Sequence, residues 1–298
     1  MTANNVTLAD AAPYLALDGS LARYLYYYVG WRRDEIQFNN IDLLNSQGTY
    51  HTLVGFNSPK ATLSFLPPDN GVLPSVAISF GEAFYTNDPR IGTGTVRGTP
   101  VSREHSYQLV AGKSISGTDF RVTLGHVTTE ASLAKIDPDT GLQEDEGPGR
   151  NKYITIAARH YFSFGLLQAS VSKADARDLA SGLPTPEAPR TIVDVVGTVN
   201  RLPFRLQARA EFEEDGAKPL GDGFVSVPVR EFRGALIRSF LKERMDVAVN
   251  FLIASGYTGQ TTEILAAPGQ DSPPEQVTGV RLPSYVSLSF TYRFRPKY

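Results

Sequence analysis

Hydrophobic and polar positions alternate with period two through most of this chain, most cleanly near its end. Val286, Leu288, Phe290, Tyr292 and Phe294 fall on one side, and Ser287, Ser289, Thr291 and Arg293 on the other. Successive side chains of an extended strand point to opposite faces, so this stretch has one apolar face and one polar face. The pattern recurs upstream. Phe204, Leu206, Ala208, Ala210 and Phe212 alternate with Arg205, Gln207, Arg209, Glu211 and Glu213. Met245, Val247, Val249, Phe251 and Ile253 make a third apolar face, and Phe120, Val122 and Leu124 a fourth. Long two-faced strands suit a wall between lipid and water, and the outside of a soluble sandwich shows the same alternation.

Roughly thirteen such segments are predicted, many of them about 10 to 14 residues long, where soluble strands cluster at about 5 to 6. They cover residues 13–17, 23–31, 60–66, 74–85, 104–113, 119–129, 152–162, 166–173, 190–199, 204–213, 227–240, 245–255 and 281–294. Residues 174–180 are the one short helical candidate. The connections alternate short and long. Residues 18–20, 67–73, 114–118, 163–165, 200–203 and 241–244 are the short ones. Residues 39–57, 86–103, 131–150, 174–189, 215–226 and 256–280 are the long ones. That rhythm predicts an antiparallel up-and-down meander with its tight turns at one end, the plan of an outer-membrane barrel rather than a Greek-key sandwich. On this plan Leu206, Phe212, Val249, Phe251, Leu288 and Phe290 face lipid, and Arg205, Arg209, Asn250 and Thr291 face the lumen. The Pro-rich pieces lie inside long loops, so the chain reads as one domain.

Composition removes several classes. The 298 residues carry no cysteine, which excludes a disulfide framework and a thiolate nucleophile. A formal net charge of -2 gives no nucleic-acid surface. No run of 18 apolar residues exists, which rules out membrane-spanning helices but not strands. Residues 1–10 show neither a basic nor an apolar signal region.

Few residues suggest chemistry. His105, His126 and His160 fall on predicted outward faces, His51 falls in a long connection, and no Gly-x-Ser-x-Gly occurs, so no catalytic residue is assigned. Asp137, Asp139, Glu144 and Asp145 form the one cation-loop candidate, but the EF-hand spacing is missing and Pro138 interrupts the loop. Residues 92–98 are glycine-rich but lack the Gly-Lys-Ser/Thr of a phosphate loop. Tyr24, Tyr26, Tyr27, Tyr28 and Trp31 are the densest aromatic cluster, and an interfacial belt accounts for most of them.

Three stretches carry a family resemblance. Phe80-Gly-Glu-Ala-Phe-Tyr-Thr-Asn-Asp-Pro-Arg90 resembles a strand entering a long loop in TonB-dependent outer-membrane receptors. Pro100-Val-Ser-Arg-Glu-His-Ser-Tyr-Gln-Leu109 resembles the start of the next strand, and residues 282–294 resemble the closing strand. The resemblance implies a partial wall, about 12 to 13 strands, of a barrel of about 22 strands closed around an N-terminal plug. Residues 1–298 are then the C-terminal part of that barrel, with plug, TonB box and signal peptide outside them. Phe290, Tyr292, Phe294 and Tyr298 carry over as the assembly signal read by the barrel-assembly machinery, although Phe294 is not the terminal residue.

The implied function is uptake of a scarce small molecule across the bacterial outer membrane: a metal chelate or siderophore, cobalamin or a glycan. The implied partners are outer-membrane lipid, that ligand and the TonB system, with no cofactor and no nucleic acid. A self-contained passive channel and a soluble all-β binding protein are the alternatives.

Overall fold

The structure is a computed structural model. It describes residues 4–43, 50–69, 71–86, 101–130, 135–136, 143–144, 148–185, 188–221, 224–225, 228–240, 244–255, 257–258, 280–281 and 284–293. Fourteen strands form its main sheet: β1 (Asn4–Ala11), β2 (Tyr14–Ala22), β3 (Leu25–Asp42), β4 (Tyr50–Phe65), β5 (Ser75–Thr86), β6 (Val101–Ile115) and β7 (Thr118–Thr129), then β8 (Gly149–Phe162), β9 (Gly165–Asp178), β10 (Thr191–Leu202), β11 (Leu206–Asp215), β12 (Val229–Phe240), β13 (Met245–Ser255) and β14 (Tyr285–Tyr292). From β3 onward each strand is hydrogen-bonded to the next in sequence, and the registered pairs are antiparallel. The up-and-down meander expected from the pattern is present. β1 and β2 lie end to end along one edge of β3, so fourteen strands occupy thirteen positions. Pro13, with no N–H to give, separates them, and its carbonyl accepts from the Arg33 N–H at 3.0 Å. The sheet is not closed: among the described residues β14 pairs only with β13, and β1 and β2 only with β3.

Several predicted boundaries move. The turn expected at residues 18–20 is strand, and the chain reverses at residues 23–24 instead. Gly19 lies opposite Tyr27, which keeps the ladder intact there. The long connection expected over residues 39–57 shrinks to 43–49, because β3 and β4 stay paired out to Asn40↔Tyr50. The helical candidate at residues 174–180 is largely the end of β9, which runs to Asp178. Beyond it, the Asp178 carboxylate accepts from the Ser181 N–H at 2.6 Å. That hydrogen bond holds the carboxyl below its ordinary range and ties down the following turn.

The chain groups into two compact units: Met1–Lys113, Arg121–Ile154 and Ala174–Thr185 in one, and Ser114–Phe120, Thr155–Lys173 and Pro186–Tyr298 in the other. In the second unit the register sorts side chains into continuous rows, because directly opposed residues share a face. Val199, Ala208, Leu236, Val249 and Leu288 make one row across five strands. Leu167, Gly197, Ala210, Gly234, Phe251 and Val286 make the next, and Ala169, Val195, Phe212, Phe232 and Ile253 the third. Leu206, Arg238, Val247 and Phe290 close this face at the tight-turn end. From Leu206 to Phe212 the apolar rows climb about 20 Å along the strand. Glu214 and Arg230 then end the band with an ion pair at 3.0 Å. That height suits the apolar belt of a membrane barrel, about 25 Å tall.

The six residues expected on the apolar face all lie there, and none is buried: Val249, Leu288 and Phe290 are exposed and the other three half-buried. A soluble sandwich would enclose them. Arg209, Asn250 and Thr291 lie on the opposite face as expected. Arg205 does not. It stands in the tight turn, with φ 57°, outside the strand that begins at Leu206.

The first unit has the same two faces. Tyr27, Leu63, Ile78 and Leu109 form an apolar row, with Val29, Ala61, Phe80 and Tyr107 beside it. Tyr28, Thr62, Ser79 and Gln108 form a row on the other face. Tyr26 and Tyr28 therefore share the polar face, and the belt reading holds only for Tyr27 and Trp31 among the strand aromatics. Among the described residues of this unit, the buried side chains of Asp34, Ile36, Phe56, Ser58 and Ser102 lie toward the loop end of their strands. Phe56 stacks on Phe84 there at 5.0 Å, under the Arg103 guanidinium.

Gly165 opens β9 where a side chain has no room. A Cβ there would overlap the Thr198 carbonyl oxygen, whereas one on Gly197 would meet only Leu167 at 3.9 Å. Gly165→Ala should therefore cost about 1 to 3 kcal/mol of folding stability. Gly197→Ala should change it by less than about 1 kcal/mol. Denaturant titration of the two variants in lipid vesicles checks this. In the same assay Leu236→Arg should cost about 2 to 4 kcal/mol if its face meets lipid. Ala235→Arg, one residue away on the polar face, should be tolerated.

Candidate functional site

The polar face carries charge in both units. In the first, Arg32 of β3 pairs with Asp10 at 3.4 Å and with the buried Asp34. In the second, the charge lies on β10 to β13. Two-residue periodicity brings Glu211 and Glu213 of β11 to one face, and the antiparallel register places Arg233 opposite Glu211 and Glu231 opposite Glu213. Asp194 of β10 lies on the far side of Glu213 in the same row. Three carboxylates thus line up across neighbouring strands, an arrangement that repels itself without a counter-charge. Arg233 supplies one. Its Nη1 lies 3.3 Å from Glu213 and 3.6 Å from Glu211, and its Nη2 pairs with Glu231. Arg209 adds a second cation at 3.2 Å from Glu211. Arg209, Glu211, Arg233, Asn250, Leu252 and Tyr285 line an open recess of about 290 Å³.

Below this lattice the polar face is knit by uncharged groups and one further pair. Asn250 donates to Ser289 at 3.0 Å, Ser239 to Asp246 at 2.7 Å, and Arg293 to Asp246 at 2.6 Å. On β8 and β9, Thr155 and Ser172 share a hydrogen bond of 2.8 Å, and Arg159 grips Gln168 through two nitrogens at 3.1 and 2.7 Å. In the first unit Gln108 donates to the Tyr153 hydroxyl at 3.2 Å. Polar side chains that satisfy one another across strands make a wet wall that stays ordered beside water. The surface can attract, orient and screen a polar ligand.

The histidines are dispersed. His51 pairs with Asn39. His105 lies 3.3 Å from Glu82 and 3.7 Å from Glu130. His126 meets the Tyr107 ring edge at 6.4 Å, and His160 contacts Thr118 at 2.7 Å and the Phe162 ring. Register and ring contacts put His105 and His126 on the apolar face, as expected. Among the described residues no histidine bonds to a serine, and no cluster of three His, Asp or Glu has a metal-binding arrangement.

Asp137, Asp139 and Asp145 of the cation-loop candidate lie outside the described residues, and Glu144 belongs to a short ladder of Gln143–Glu144 with Lys135–Ile136. Residues 92–98 also lie outside them. Of the assembly signal, Phe290 and Tyr292 sit on the apolar face of β14, while Phe294 and Tyr298 fall outside the described residues. Sequence reading placed Arg209, Glu211 and Glu213 on one face but missed their partners on β12. Arg230-Glu-Phe-Arg233 alternates poorly, and only the register shows that Glu231 and Arg233 face the β11 carboxylates.

No protein-family model matches the sequence, and no curated protein is similar to it. Solved structures do match. The chain is similar to the FrpB iron transporter from Neisseria meningitidis, with a TM-score of 0.63 and 11% identity over 85% of this chain and 41% of that one. It is similar to the copper transporter OprC, with a TM-score of 0.66 and 10% identity over 83% of this chain and 41% of that one. The ferric-catecholate import receptor Fiu from E. coli K12 gives a TM-score of 0.64 and 10% identity over 84% of this chain and 40% of that one. The chain thus spans about two fifths of the length of the proteins it matches. The chain has the fold of about two fifths of those proteins, a partial, antiparallel, up-and-down wall.

Arg233 is the hub of the polar lattice, so Arg233→Gln should destabilise the fold by roughly 1 kcal/mol, the scale of an exposed ion-pair network. The loss should grow at low ionic strength, where repulsion among Glu211, Glu213 and Glu231 is unscreened. Adding Glu231→Gln should recover part of it, read from denaturation midpoints at two salt concentrations.

Proposed function

We propose that this chain is the C-terminal barrel part of a TonB-dependent receptor in the bacterial outer membrane, which takes up a scarce small molecule. The observation that carries the reading is the wall itself. In each unit the strands present an exposed apolar face and a hydrogen-bonded polar face, and among the described residues the sheet ends in two edges that pair with no further strand. Backbone groups left open at such edges are not tolerated in hydrocarbon, so further strands have to close the ring. A barrel of about 22 strands needs roughly nine more, with a plug in its lumen. The two-fifths coverage of the matched transporters fits that share.

In this reading the tight turns at residues 23–24, 116–117, 163–164 and 203–205 face the periplasm, and the longer connections face outward. The apolar rows meet lipid. The Arg209–Glu211–Arg233 recess lies on the lumen side, where it borders the ligand path or the plug. Energy for uptake comes from the TonB system through a segment upstream. The ligand class is a metal chelate or siderophore, by analogy with the iron and copper transporters it resembles, with cobalamin and glycans as the other members of the class.

The reading predicts that the coding sequence upstream of Met1 specifies a signal peptide, a plug and the remaining strands. It further predicts that deleting the complete gene abolishes growth on one ferric chelate as sole iron source, and that loss of TonB has the same effect. Growth unchanged on every chelate tested, cobalamin and glycan sources included, would remove the uptake reading. Conductance of the isolated 298-residue chain in a planar bilayer would favour the passive channel.

A further inference from the structure

The tight turn between β10 and β11 is built against backbone preference. Phe204 has φ 62° and Arg205 has φ 57°, two consecutive residues in the left-handed region. Hairpin turns use this geometry, but they favour Asn or Gly in it, because other side chains crowd the backbone. At the tight turn between β6 and β7 the second such position is Gly117, with φ 78°. The fold gains little from the Phe204 ring in return, since the residue is 79% exposed. A strained, exposed aromatic in a turn points to a role outside the fold.

Charge near the same turn gives the partner. Leu202 pairs with Leu206, and Leu206 with Arg238, so Arg201, Arg205 and Arg238 gather at one end of three adjacent strands. All three are exposed, and none is paired with a carboxylate of a described residue. Arg238 lies in the last apolar row, with its guanidinium 4.9 Å from the Phe240 ring centroid. A long cationic side chain at the edge of an apolar band lays its stem on the hydrocarbon and its head among headgroups. The opposite end of these strands is acidic, with Asp194, Glu213, Glu214 and Glu231. The basic patch is therefore local to the tight-turn end.

We infer that Arg201, Arg205 and Arg238, with Phe204 as an interfacial anchor, form a binding surface for the phosphate headgroups of anionic phospholipid in the leaflet at the tight-turn end. The inference rests on the barrel reading above, because it needs the apolar rows in a bilayer. Three guanidiniums at the end of a lipid-facing row, with Arg238 inside it and none paired with a described carboxylate, suit a monoanionic diacyl lipid such as phosphatidylglycerol. The phosphate meets the arginines while the acyl chains run along Leu206, Val247 and Phe290.

The test uses the whole receptor chain, reconstituted in nanodiscs of mixed phosphatidylethanolamine and phosphatidylglycerol. Native mass spectrometry reads the ratio of the two lipids retained, and heat-shifted mobility on a gel reports folding. The wild type should retain phosphatidylglycerol preferentially. The preference should fall about fivefold for each arginine removed, as expected for a basic side chain at an anionic surface. The R201Q/R205Q/R238Q variant should thus lose it, and the matching triple-lysine variant should keep most of it. Phe204→Gly relieves the turn, so it should fold at least as well as wild type yet hold less lipid. Arg230→Gln, at the far end of the same face, should change nothing. A folded triple-glutamine variant with undiminished preference overturns the inference, as does equal retention of both lipids by the wild type. A chain that never enters the nanodisc overturns the barrel reading and this one with it. Loss of the uptake phenotype's TonB dependence, with lipid preference intact, would count against the transport reading alone.

Discussion

The constraint on which the rest of this structure depends is the pairing of backbone groups between neighbouring strands. In hydrocarbon no water is present to satisfy an open N–H or C=O, so each strand has to be bonded on both sides. Ladders from β3 to β14 meet that demand along the wall, and Pro13 removes one donor where β1 gives way to β2, on the side that faces β3. Everything else follows from register. A slip of one residue between β11 and β12 would turn Phe212 and Glu213 toward the wrong solvents together. The same antiparallel offset that aligns Ala208, Leu236, Val249 and Leu288 for lipid aligns Glu211 with Arg233 for water.

The two faces are held by different means. On the apolar face adjacent rows fit by alternating size. Phe232 and Phe251 lie 5.7 Å apart, and the Phe251 ring covers Gly234, whose missing Cβ makes room for it. Large against small closes gaps in a single-layer wall that has no second sheet to pack on. On the polar face cohesion comes from hydrogen bonds and from cations placed between carboxylates. Its cross-strand acids would be a defect in a soluble core. Facing a wet lumen they are partly screened, and Arg233 offsets them locally.

The ends of the strands differ for the same reason. At one end the chain reverses within a few residues, through left-handed backbone at Ser116, Gly117, Phe204 and Arg205. At the other, ladders run on past the apolar band. β3 and β4 stay paired to Asn40↔Tyr50, and β9 reaches Asp178. Strand extending beyond the belt is solvated on both faces there, and its hydrophobic alternation fades. The loop-side edges of β3, β4 and β9 were accordingly among the boundaries that pattern alone misjudged.

What the sequence by itself determined was whatever has a period of two. It set the strands other than β1, their two faces, the meander and the placing of Leu206, Phe212, Val249, Phe251, Leu288 and Phe290 on one side, because the side-chain direction of an extended chain is local geometry. Tertiary structure decided what depends on pairing. Glu231 and Arg233 joined the β11 carboxylates only through register, and Tyr26 and Tyr28 turned to the polar face through the alignment of β3 with β4. Arg205 left the lumen face because the β10–β11 turn took it into left-handed backbone, which no alternation announces. Cross-strand neighbours are distant in sequence, and nothing local in a strand states which residue of another strand it will meet.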